Sequence, residues 1–349
     1  MRKYKLLPVI LVCFSTAIIA QKPAELLTKW SDVSPVEKTY LHFDRDNYVS
    51  GETAWFKAYL YSDHQPDTIS TTLYVELLKD SVALISRAVL PVLIGIANGQ
   101  IELPDSLASG NYLIRAYTSS MLNHDPAFLY QRRIFVFGKN NMQVAGEKKT
   151  SNKIKVEFFP EGGNLVNGFT NTVAFKATDS KGLPVAATGT IRNAKNEEVA
   201  VLNSYHDGMG MFELQPVANG GYYALLNGDA SSEKYFLPAA VDKGIVLTVL
   251  PHPQGSFFEL QQKTGDPSFE AAYMIGQMQH RVVFQQNFSP GKATAQGVIN
   301  TQNLHSGILQ ITIFNKDNMP LAERLCFVNN REYIINAELR TDTIDFSPR

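Results

Sequence analysis

Thr53-Ala54-Trp55-Phe56-Lys57-Ala58-Tyr59-Leu60 puts Ala54, Phe56, Ala58 and Leu60 on one side of an extended chain and Thr53, Trp55, Lys57 and Tyr59 on the other. A period of two is the signature of a strand with one face buried and one face wet. The same alternation recurs from Leu73 to Leu77, Tyr112 to Tyr117, Val173 to Ala177 and Leu309 to Ile313. Between such runs stand turn formers: Asp44-Arg45-Asp46-Asn47, Ser180-Lys181-Gly182, Ala218-Asn219-Gly220-Gly221 and Lys316-Asp317-Asn318. Many short strands at close spacing predict an all-β chain of antiparallel sandwiches. Helix is expected only at Pro23 to Ser31 and at Asp266 to Gln279.

A local pattern repeats. Ile101-Glu102-Leu103-Pro104 leads through a short loop to Gly110-Asn111-Tyr112-Leu113-Ile114, and Phe212-Glu213-Leu214-Gln215-Pro216 leads likewise to Gly220-Gly221-Tyr222-Tyr223-Ala224. A looser copy runs from Val298 through Leu304 to Gly307-Ile308-Leu309-Gln310-Ile311. A tyrosine at such a corner packs its ring inward and hydrogen-bonds nearby backbone, as in immunoglobulin-like sandwiches. The copies divide the chain into sandwiches at 36–138, 152–240 and 243–330, with a polar, charged linker at 139–151. Residues 331–349 are expected to start a further module, with a strand from Glu332 to Leu339.

Arg2, Lys3 and Lys5 precede an apolar run from Leu6 to Ala20, broken by Pro8, Ser15 and Thr16. This has the form of a secretory signal peptide over residues 1–20, followed by a short lead-in at 21–35. A run of roughly 15 residues falls short of the ~20 that span a bilayer. Val12 before Cys13 argues against a lipid anchor, which needs a small residue there. Three of the 32 basic residues leave with the signal, so 29 face 33 acidic ones and the formal charge is near −4. That balance, without a basic run, gives no footprint for nucleic acid or an anionic membrane surface. Val82 to Ile96 is the next most apolar stretch, but Arg87, Pro91 and Gly95 break it into strand-sized pieces, so the mature chain is expected not to span a membrane. Cys326 is then the single cysteine, which excludes an intramolecular disulfide; its place in Leu325-Cys326-Phe327-Val328 predicts packing rather than a reactive thiol.

Tyr40-Leu41-His42-Phe43-Asp44-Arg45-Asp46-Asn47-Tyr48, followed by Gly51-Glu52-Thr53-Ala54-Trp55-Phe56-Lys57-Ala58, resembles the second macroglobulin-domain type of α2-macroglobulins. The family usually has proline before that glycine, whereas Ser50 stands here, which implies a less rigid turn. The second module adds Phe158-Phe159-Pro160-Glu161-Gly162-Gly163-Asn164-Leu165 and His206-Asp207-Gly208-Met209-Gly210-Met211-Phe212; the third ends in Gln310-Ile311-Thr312-Ile313-Phe314-Asn315 and Pro320-Leu321-Ala322-Glu323-Arg324. The ordered set resembles exported macroglobulin-type proteins of Bacteroidota, whose longer members continue into regions similar to TonB-dependent outer-membrane receptors. The resemblance implies tandem immunoglobulin-like or macroglobulin-like β-sandwiches behind a signal peptide. Protease trapping by a thioester needs a Cys-Gly-Glu-Gln motif, and Cys326 is followed by Phe327.

Chemistry-bearing residues read blandly. Asp44, Asp46 and Asn47 offer oxygen ligands, but without the glycine and distal glutamate of a calcium loop they form a polar turn. Pro160-Glu161-Gly162-Gly163 reads as a turn or bulge at a strand end rather than a ligand cradle. His206 and Asp207 are adjacent on an extended chain, so they are expected to point to opposite faces. The seven histidines are scattered without metal-ligand spacing, and no nucleophile elbow or phosphate loop is present. Trp55, Tyr59 and Tyr61 either pack against the adjoining module, the preferred reading, or form a carbohydrate- or peptide-binding face. No catalytic, cofactor-binding or metal-ligating residue is assigned. The expectation is a non-catalytic envelope scaffold or binding protein, in the periplasm or at the outer membrane of a Gram-negative cell. Its partners would be envelope proteins, an outer-membrane β-barrel among them. The alternatives are a piece of, or accessory to, a TonB-dependent receptor in nutrient uptake, and a macroglobulin-like peptidase inhibitor without a thioester.

Overall fold

The computed structural model describes residues 23–33, 35–80, 82–139, 153–180, 182–218, 220–228 and 233–338. The expected signal peptide at 1–20, residues 140–151 of the expected linker, and residue 152 lie outside the described residues. The first described element is α1 (Pro23–Val33), whose proline stands at the first helical position, where no amide hydrogen is needed. Among the described residues, all the other regular elements are strands and two single 3₁₀ turns, Ser120–Asn123 and Pro126–Phe128. The expected all-β sandwich architecture is what forms.

The first sandwich holds β1 (Glu37–Phe43), β2 (Asn47–Val49), β3 (Thr53–Ser62), β4 (Gln65–Pro66), β5 (Thr72–Lys79), β6 (Ala83–Pro91), β7 (Ile96–Glu102), β8 (Gly110–Tyr117) and β9 (Tyr130–Phe137). One sheet centres on β3, flanked by β1 and by β4 and β7; the other runs β2-β9-β8-β5-β6. The acidic turn after β1 carries the chain from one sheet to the other, because β2 pairs in parallel with β9. Leu41, Phe56, Leu60, Leu73, Leu77, Ile114 and Ile134 fill the space between them.

The second contains β10 (Lys155–Pro160), β11 (Asn171–Thr178), β12 (Thr188–Asn193), β13 (Glu198–His206), β14 (Met209–Leu214), β15 (Tyr222–Leu226) and β16 (Tyr235–Phe236) in the order β10-β11-β14-β13-β12-β15-β16. The two halves of this sheet join through β13, which changes partners: Glu198 to Asn203 pair with β12, Ser204 and His206 with β14, and a register shift lies in each ladder. Leu165, Phe175, Ile191, Leu202, Phe212 and Ala224 are its core.

The third contains β17 (Ile245–His252), β18 (Gly255–Gln262), β19 (Tyr273–Met278), β20 (Arg281–Asn287), β21 (Thr294–Asn300), β22 (Gly307–Phe314) and β23 (Pro320–Val328). Sheets β17-β18-β21 and β20-β19-β22-β23 face each other across Leu247, Phe258, Leu260, Met274, Ile311 and Ile313.

Two expectations fail. Asp266 to Gln279 is not a helix: Asp266 caps a turn at Ser268, and the chain then enters β19. Its alanines, methionines and glutamines favour helix locally, but β20 and β22 hydrogen-bond both edges of the segment and place Met274 and Gly276 inward at strand period. Nor is there a strand after Glu332. Its carboxylate binds the amide and hydroxyl of Ser306, and residues 331–338 run irregular and exposed, paired with no described strand; Leu339 lies outside the described residues.

Candidate functional site

The alternation along β3 buries Ala54, Phe56, Ala58 and Leu60 and turns the other side chains to water. Trp55 is 55% exposed, Tyr61 44%, and Tyr40, on neighbouring β1, 57%. The register sets Tyr40 opposite Tyr59 and Lys38 opposite Tyr61, while Trp55 faces Gln100 and Lys57 faces Asn98 on β7. The Lys57 ammonium lies 5.4 Å from the Tyr59 ring centroid, and Tyr130 meets the Tyr40 ring edge-on at 6.0 Å. The result is an aromatic row on a three-strand platform, bordered by amides and cations. The preferred expectation, that Trp55 packs against an adjoining module, is corrected: no described module covers it, because the third sandwich meets the first elsewhere.

One end of this platform is braced by the acidic turn. Tyr48 is buried, and its hydroxyl donates to Asp44 Oδ1 at 2.6 Å. Burial opposes the Asp44 charge, but the hydrogen bond from Tyr48 and the Arg45 guanidinium hold its carboxyl below the usual range. Burial, reinforced by Asp44, raises the Tyr48 phenol. Arg132 takes Asp46. The Asp44 and Asp46 carboxylates considered for a cation are therefore engaged with hydroxyl and guanidinium groups. Gly51, at φ 83°, turns the chain into β3, where a Cβ would fall 2.1 Å from Asp105 Oδ1. Ser50 does not loosen that turn: its amide donates to the Phe137 carbonyl at 2.8 Å, and its hydroxyl oxygen accepts from the Lys139 amide at 3.0 Å. A proline there, with neither an amide hydrogen nor a hydroxyl, would forfeit both bonds.

The glycine-tyrosine corners behave as the pattern implies, with one difference. Tyr112 donates to the Ala108 carbonyl at 2.9 Å, whereas the Tyr222 hydroxyl accepts the Val217 amide at 3.0 Å.

Contacts between sandwiches escaped the sequence. Pro160-Glu161-Gly162-Gly163 forms its turn, and it also docks on the third sandwich. Glu161 lies 2.9 Å from the Arg324 guanidinium and accepts the Val249 amide at 3.3 Å, while Gly162 bridges to Glu323. Between the first and third, Arg281 sits 3.0 Å from Asp63 and 3.9 Å from Asp32 of α1, and the rings of His64 and His305 lie 4.1 Å apart, tilted against each other. His280 lies in the same seam within electrostatic reach of His124, and its Nδ1 is buried without a hydrogen-bond partner. Histidines scattered along the chain are thus gathered in space.

His206 and Asp207 also come together, 3.1 Å apart, contrary to the opposite-face expectation. Asp207 and Gly208 have φ of 44° and 71°, the left-handed pair of a two-residue hairpin, which curls Asp207 back; both side chains are well exposed. Cys326 lies half-buried against the third core, and burial pushes its thiol up. Among the described residues, no group of three or more His, Cys, Asp and Glu side chains is placed to hold a metal ion, and no helix is long and apolar enough to cross a membrane.

No family model matches the chain, and no curated protein does. Solved structures do. Salmonella α2-macroglobulin reacted with methylamine is similar over 84% of this chain and 23% of its own, at 10% identity and TM-score 0.25. Trypsin-activated α2-macroglobulin from Escherichia coli is similar over 82% and 23%, at 11% identity and TM-score 0.25. Domains 4–9 of the surface layer protein SbsC are similar over 84% and 47%, at 11% identity and TM-score 0.28. The chain spans about a quarter of the length of the α2-macroglobulins it matches, 23% in each case.

Proposed function

We propose that this chain is a non-catalytic binding and scaffold protein of the Gram-negative envelope, and that it meets envelope proteins through the outer face of its first sandwich. The observation that supports this reading is the exposed row of Tyr40, Trp55 and Tyr61 on a sheet whose other side is fully packed. Aromatic rings held on a rigid platform give large contact area at little entropic cost and concentrate binding energy. Lys57, Asn98 and Gln100 interleave them with groups that fix orientation.

A pull-down from envelope extracts with the mature protein tests the proposal, with Trp55→Ala and Tyr61→Ala beside it. A partner recovered by the parent and lost with Trp55→Ala is the expected result. Recovery of no partner above background would sink the proposal, and retention of a glycan column in place of a protein would reassign the face to carbohydrate.

A further inference from the structure

The third sandwich has one closed side and one open side. On the closed side β17 and β23 lie together, and Gly162 of the second sandwich caps β23. On the open side β20 and β21, consecutive in the chain, border opposite sheets. Helix α1 lies along β20, but no described strand pairs with β21 except β18.

The pairing shows which groups β21 leaves open. The Gln262 amide donates to the Ala293 carbonyl and the Thr301 amide to the Gln254 carbonyl. In an antiparallel ladder these set the odd residues toward β18 and the even ones outward. Gln296 and Val298 therefore turn their N–H and C=O groups away from the sheet. β21, Thr-Ala-Gln-Gly-Val-Ile-Asn, has neither a charge nor a proline. Such features are what proteins use to blunt exposed edges. Other edges here have them: Arg87 and Pro91 in β6, Lys155, Glu157 and Pro160 in β10, and Arg281 in β20. Gly297 keeps the edge flush with the core, since a Cβ there would come within 2.8 Å of the Phe258 ring.

Beside this edge, between β21 and β20, lies a cleft of about 300 Å³. Leu260 and Phe288 line it beside the polar side chains of Gln286, Asn287 and Gln296, with Lys292 at its border. Gln262 is not free to line it as a donor, because it holds the Lys292 carbonyl and the Ala271 amide.

We infer that β21 is a strand-addition site for an extended peptide segment of a partner protein. The peptide backbone takes the outward groups of Gln296 and Val298, and its alternate side chains enter the cleft, whose amides beside Lys292 suit polar, non-basic residues such as Ser, Thr and Asn. The inference rests on the reading of the chain as a binding protein but uses a surface separate from the aromatic face.

Panning random nonapeptides displayed on phage against the mature protein, followed by synthesis of the enriched peptides, tests it. Val298→Pro removes an outward amide without breaking the β18 ladder, and Val298→Lys adds a charge to the edge while keeping the amide. Both are expected to weaken peptide binding at least about tenfold, with Trp55→Ala unchanged. Hydrogen exchange on the unmutated protein should slow at the Gln296 and Val298 amides when peptide is bound, which needs no variant to fold. Peptides that bind Val298→Pro as well as the parent, protection elsewhere, or failure to enrich any peptide would each overturn the inference. Failure of the broader reading shows separately, as the absence of any envelope partner in the pull-down.

Discussion

Glu161 and Arg324 stand 2.9 Å apart across the seam between the second and third sandwiches, and the same carboxylate accepts the Val249 amide. Glu161→Ala removes both contacts and leaves a guanidinium facing the seam. We expect a loss of roughly 1–3 kcal/mol in urea unfolding, and faster protease cleavage between the two sandwiches. An unchanged midpoint and unchanged cleavage would show that the seam does not depend on this pair.

Glu76 is 1% exposed on β5, directly opposite Arg87 on β6 and Arg115 on β8. Both guanidiniums and the Tyr117 hydroxyl donate to it, the hydroxyl at 2.8 Å. Burial pushes its pKa up, but these donors outweigh burial and hold the carboxyl below its ordinary 4.5. A depressed carboxylate contributes stability that is complete above 4.5 and is lost as pH falls through the folded value. Glu76→Gln should therefore cost roughly 1–3 kcal/mol at neutral pH, with the difference shrinking in acid. A difference that stays constant with pH in thermal melts would refute this.

His64 and His280 are held below the ordinary 6.5, each chiefly by burial and then by a neighbouring histidine, His305 and His124 respectively. Lys38 pushes the same way, while Asp63, with Glu332 near His64, opposes. The packed form keeps these imidazoles neutral, so the separated form binds protons first. Contact between the first and third sandwiches is thus at full strength above 6.5 and weakens as pH falls below it. Small-angle scattering should show the chain expanding between about pH 7 and pH 5, and His64→Gln with His280→Gln should abolish the change. Equal dimensions for the parent at both pH values would contradict the expectation.

Tyr112→Phe removes one hydrogen bond, to the Ala108 carbonyl, while keeping the buried ring. The expected cost is about 1 kcal/mol in chemical denaturation. Tyr222→Phe should cost a similar amount by orphaning the Val217 amide. If neither variant shifts the transition, the corners are held by ring packing alone.

How much was legible follows from the range of each interaction. The inward set of β3 was readable because strand geometry alternates side chains whatever lies beyond them. The tyrosine corners were readable because Tyr112 and its acceptor are four residues apart. Residues 266–279 misled for the complementary reason. Their helix-forming composition is a weak preference, and two flanking strands distant in sequence override it. Trp55 misled because alternation tells that a side chain leaves the core but not whether another module waits there.

The sequence by itself determined most strands, their buried faces and the corner turns, since all depend on dihedral preferences and burial within a few residues. The tertiary structure alone decided the seams and the edges. Arg281 meets Asp63 across 218 residues, Glu161 finds Arg324, the histidines converge, and β21 is left uncovered while every longer edge near it is charged, capped or flanked. Those outcomes depend on how packed sheets are placed against one another, and no local pattern encodes that placement.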